Sequence, residues 1–89
     1  MKVSFKNLKM QRSLKGAPED VDLTEQVAEA VYQNASDFAT HKLAHRIAEA
    51  PEDGIEITDV EAGRIKHAVA NFHFYAQKPI LEALGEKFE

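Results

Sequence analysis

The spacing of apolar residues changes twice along this chain, and each change narrows what it can fold into. Val3 and Phe5, then Leu8 and Met10, alternate with polar residues, the period-two pattern of strands with one buried side. From about residue 22 the interval lengthens to three or four, as on the buried face of an amphipathic helix. At Ile55-Glu56-Ile57 it returns briefly to two. This order points to an α+β domain with three main helices and a short C-terminal helix. A small sheet joins the N-terminal segment to residues 55–57. The alternation slips phase near Lys6 and Asn7, which fits either a bulge in one strand or a very short turn between two.

Local signals divide the helical part. Residues 13–19, with Gly16 and Pro18, read as a connection. Asp22 can cap a first helix, with Glu25 three residues on as in a capping box, and Leu23, Val27, Ala30, Val31 and Asn34 share its face. Asn34-Ala35-Ser36 suggests a break, with Ser36 capping a second helix to about Ala50 whose stripe is Ala39, Leu43, Ile47 and Ala50. Pro51-Glu52-Asp53-Gly54 supplies turn chemistry. Thr58-Asp59-Val60-Glu61 is a second capping box, opening a third helix with the stripe Ala62, Ile65, Ala68, Val69, Phe72 and Ala76. Pro79 predicts a break near Gln77-Lys78 and a short last helix from Pro79 to Leu84, ended by Gly85.

Eighty-nine residues without cysteine make one small domain spanning 1–89, whose stability rests on apolar packing rather than on disulfides or thiolate-bound metal. No apolar run approaches the ~20 residues of a membrane-spanning helix, and no signal-peptide pattern opens the chain, so the expectation is a soluble cytoplasmic protein. Charge is unevenly distributed. Residues 1–18 contain Lys2, Lys6, Lys9, Arg12 and Lys15 and no acid, whereas all fifteen acids follow from Glu19 onward, for a formal net charge of −4.

That basic segment, with Phe5 interleaved, is the place where nucleic-acid binding can be argued, since phosphates need cations and bases stack on aromatics. Phe5 occupies the apolar phase of its strand, however, and lysines on edge strands also guard against aggregation. His41 and His45 stand four residues apart on the second helix, so both imidazoles project from one side and can bind a transition metal, although the pair lacks the third and fourth ligands of a zinc site and equally fits a solvated polar face. His67 and His73 are six apart and fall on different sides of a helix. The serines lie outside any Gly-x-Ser-x-Gly elbow, the acids fall at turns, caps and exposed strand positions, and the four glycines are isolated. The sequence thus indicates no enzyme and no cofactor.

The aromatic residues point to contact. Phe74 and Tyr75 fall off the apolar stripe of the third helix, as Tyr32 and Phe38 do on theirs. Either the last helix folds over Phe74 and Tyr75 with Ile80, Leu81 and Leu84, or the pair belongs to an exposed surface that meets a protein partner or a second copy.

Three blocks together resemble small phage- or prophage-encoded proteins of about this length: the opening Met1-Lys2-Val3-Ser4-Phe5-Lys6, the central run from Ile55 to Val69, and the closing Gln77-Lys78-Pro79-Ile80-Leu81-Glu82-Ala83-Leu84. Pro79 and the Phe72-His73-Phe74-Tyr75 stretch depart from that pattern. The resemblance implies a mobile-element accessory protein and carries over no catalytic residue. The expectation is therefore a non-enzymatic interaction or accessory protein. A nucleic-acid-binding accessory protein and a metal-binding protein centred on His41 and His45 are the alternatives.

Overall fold

The computed structural model describes residues 1–86. Its elements run β1 (Lys2–Val3), β2 (Leu8–Met10), β3 (Glu19–Val21), α1 (Thr24–Gln33), α2 (Phe38–Ala48), β4 (Ile55–Glu56), α3 (Asp59–Ala68) and α4 (Phe74–Ala83). Among the described residues the class is α+β, with four helices and two antiparallel two-stranded sheets.

The phase slip near Lys6 and Asn7 separates two strands with different partners. β1 pairs with β4, Lys2 opposite Glu56 and Val3 opposite Ile55, as the alternating pattern at 55–57 predicts. β2 pairs instead with β3, Leu8 opposite Val21 and Met10 opposite Glu19. β3 lies partly within the stretch that reads as a connection. Its Glu19 and Asp20 are exposed on a two-stranded ribbon, so no apolar alternation marks it.

Asp22 does bond the start of α1, with Oδ1 accepting from the Thr24 N–H at 2.9 Å. It acts one residue outside the cap position, which Leu23 occupies without a side-chain cap. Helix α2 is capped by Asp37, not Ser36: its Oδ1 accepts from the Thr40 N–H at 2.8 Å. The buried face is accordingly Thr40, Leu43, Ala44 and Ile47, and Ala39 is exposed. The Thr58 box is present in both halves, Thr58 N–H to Glu61 Oε1 at 2.9 Å and Glu61 N–H to Thr58 Oγ1 at 3.1 Å.

The third helix ends earlier than its apolar spacing suggests. Val69 closes α3, and turn-type bonds follow from the Ala70 N–H to the His67 carbonyl and from the Phe72 N–H to the Val69 carbonyl. Val69 is fully buried and Phe72 packs against the core, so the helical stripe continues in sequence through residues that have left the helix. α4 then begins at Phe74 and carries Pro79 inside it, where a proline forgoes a helical hydrogen bond at a cost of about 3 kcal/mol. Burial of Pro79, Ile80 and Leu84 offsets this, since a fully buried aliphatic side chain contributes about 1.5–3 kcal/mol. Gly85 ends α4 in a Schellman arrangement, with φ +95°, the Glu86 N–H bonded to the Leu81 carbonyl and its own N–H to Glu82.

Val27, Val31, Leu43, Ile47, Ile65, Val69 and Ile80 are the largest fully buried side chains, and they come from all four helices. Val3, Phe5 and Leu8 close the core from the strand side. The closest helix pairing is α1 with α2, while α4 packs on β2. Among the described residues no helix is long and apolar enough to cross a membrane.

Candidate functional site

The short connection between α1 and α2 makes them an antiparallel hairpin, and the way α2 is anchored determines what the hairpin shows to solvent. Asp37 caps α2 from inside the turn, and Arg64 on α3 reaches the same corner, with Nη1 3.0 Å from Thr40 Oγ1 and 3.6 Å from Asp37 Oδ1. The bond from Thr40 holds the Asp37 carboxyl below the ordinary aspartate range, and Arg64 adds to the effect. With Thr40 pinned toward α3, the preceding Phe38 and the following His41 turn outward.

A cluster of rings results. Tyr32, in the last turn of α1, lies 5.1 Å from His41 and 6.2 Å from His45 between ring centres. His41 and His45 are 4.8 Å apart and edge-on, and Phe38 is 6.4 Å from His41. The Lys42 ammonium stands 4.8 Å above the Phe38 ring, a cation–π contact. Tyr32 is 49% exposed and Phe38 73% exposed, while His41 is half-buried and His45 exposed. Two of the four aromatics singled out in the sequence thus join the histidine pair in one patch. Neither helix periodicity alone nor the i, i+4 rule indicates that meeting, because it depends on the register between two helices.

Beside the patch, an open groove of about 900 Å3 runs along α1. Small residues, Ala28, Ala44 and Ala68, line its inner part, Glu25 and Glu29 stand on α1, and Tyr32 and His45 meet it from the hairpin side. Asn71 and Phe72, from the turn between α3 and α4, also line it.

Phe74 and Tyr75 are the first two residues of α4, so the last helix does not fold over them. The early end of α3 moves them from a third-helix flank to a new helix start. Phe74 is 56% exposed and Tyr75 39%. Tyr75 stacks on His73 at 5.3 Å with the planes 8° apart.

The basic N-terminal segment meets carboxylates instead of standing clear. Lys2 pairs with Asp53 at 2.9 Å, Lys6 with Glu52 at 3.8 Å, Lys9 with Asp20 at 2.5 Å and Arg12 with Glu19 at 2.7 Å. The partners come from β3 and from the turn before β4, which the two sheets bring alongside. The Lys2 ammonium and Asp53 carboxylate hold each other charged, so Lys2 is raised and Asp53 lowered from their ordinary values. Lys15 is exposed in the turn between β2 and β3. Phe5 is buried in the core and offers no stacking surface.

Among the described residues no group of three or more His, Asp or Glu side chains converges as a metal site. Asp37 is committed to its cap, so His41 and His45 form a two-donor set. Comparison with known protein families, curated proteins and solved structures finds no match to this chain.

Proposed function

We propose that this chain is a non-enzymatic interaction module of the cytoplasm that associates with a second copy of itself through the outer face of the α1–α2 hairpin. The observation that carries the reading is the grouping of exposed Tyr32 and Phe38 around His41 and His45 on one face. Tyrosine and phenylalanine offer large contact area with few rotatable bonds, which is why aromatics anchor protein interfaces. The N-terminal cations weigh against the nucleic-acid reading, because four of the five pair with carboxylates and phosphate binding would have to displace them. A place among phage or prophage accessory proteins rests on the sequence resemblance, and flanking capsid or tail genes would support it.

The test is sedimentation of the metal-free protein over a range of concentrations. The average mass is expected to rise above the 10.0 kDa of one chain, and the doubly substituted Tyr32→Ser, Phe38→Ser protein is expected to stay at it. Both residues are exposed, so helical content by circular dichroism should be unchanged in the variant. A wild-type mass that stays at one chain throughout would overturn the reading.

A further inference from the structure

We propose that His41 and His45 are half of a zinc-class metal site, and that a second copy of the chain, docked on the same hairpin face, supplies the other half. The inference rests on the self-association reading above and adds to it an ion and a stoichiometry.

Geometry is the first support. A tetrahedral zinc ion holds imidazole nitrogens at about 2.0–2.1 Å, which places the centres of two bound rings about 5 Å apart. The His41 and His45 ring centres are 4.8 Å apart, with the planes inclined at 65°. The pair is therefore near the separation that shared coordination requires. The chain also has no cysteine, which leaves imidazole as its preferred donor for a borderline-soft dication.

The second support is what the single chain lacks. Structural zinc takes four protein ligands, and no third candidate ligand converges with the pair among the described residues. A two-fold axis passing beside His41 and His45 doubles two donors to four, because an isologous contact presents the same patch from both sides. Tyr32 and Phe38 flank the pair and would be covered by the same contact.

The test adds zinc chloride to metal-free protein at a concentration where the chelated protein is monomeric, followed by sedimentation and native mass spectrometry. The expected result is a doubling of mass with one zinc per two chains, reversed by EDTA. That doubling should be lost in His41→Ala and in His45→Ala. His45 is exposed, so the His45→Ala protein should keep the wild-type helical content by circular dichroism, and its loss of doubling then reports on the ligand and not on folding. Zinc bound one per chain without a change in mass, no binding at millimolar zinc, or a doubling that survives both substitutions would overturn the proposal. Association in EDTA at higher concentration reports separately on the Tyr32 and Phe38 face, so failure of the metal site is distinguishable from failure of the contact face.

Discussion

A methyl group has no room at Gly54. This residue holds φ at +93°, and a Cβ there would run into the carbonyl of Val3 on the neighbouring strand. Gly54→Ala is therefore strained in its own backbone, by about 1–2 kcal/mol for a left-handed alanine, and also pushes β1 from β4. A loss of at least about 2 kcal/mol in denaturant unfolding is expected. An unchanged midpoint would show that the turn does not need its glycine. Glu61 gives a second residue-scale prediction. Burial pushes its carboxyl up, but the Thr58 backbone N–H and the Arg46 guanidinium, 2.6 Å away, outweigh that and hold it below the ordinary glutamate range. A carboxyl lowered by folding contributes stability in full above its unfolded value and loses it as pH falls through the folded value. Glu61→Gln keeps the capping box and removes the charge. It should unfold about 1 kcal/mol more easily at neutral pH, with the gap to wild type closing on acidification. A gap that widens at low pH would contradict the assigned direction.

At the scale of elements, the clearest lesson lies in α3 and α4. Thr58 and Glu61 mark the start of α3 by chemistry that acts within three residues, and Gly85 marks the end of α4 by a backbone angle other residues rarely adopt. Both are legible in the sequence because nothing distant decides them. The break between α3 and α4 is different. Val69 and Phe72 keep helical spacing because both reach the core, although one closes a helix and the other sits in a turn. Pro79 is the natural place to put the break, but the core takes Ile80 from a helix that already contains the proline, and Leu84 from that helix's C-cap. The Pro79→Ala protein should regain a helical hydrogen bond while losing part of the proline's restriction of the unfolded chain. The net expectation is a gain of about 1–2 kcal/mol, or several degrees in Tm for a domain of this size. A lower Tm would mean that packing of the buried proline ring outweighs the missing bond. β3 was hidden for a further reason: Glu19 and Asp20 have the composition of a turn, and only their pairing with Arg12 and Lys9 across the ribbon explains acids in that strand.

Across the whole molecule, the uneven charge of the sequence is largely resolved by folding. The basic segment runs beside the acids of β3 and of the turn before β4. The asymmetry that suggests a nucleic-acid surface in the linear chain thereby becomes a set of ion pairs with the adjoining strand and turn. The candidate site was legible only in pieces. Tyr32 and Phe38 stand out as aromatics off their helical stripes, and His41 and His45 as a pair one turn apart. Their convergence depends on how α1 packs on α2 and on the Arg64 clamp at the α2 start, 24 residues distant in sequence from Thr40. The proposed contact face is tested by the sedimentation mass of metal-free wild type beside the Tyr32→Ser, Phe38→Ser protein at matched concentrations. A wild-type mass that climbs toward two chains while the variant stays at one is expected. Equal masses for the two proteins at every concentration would contradict it.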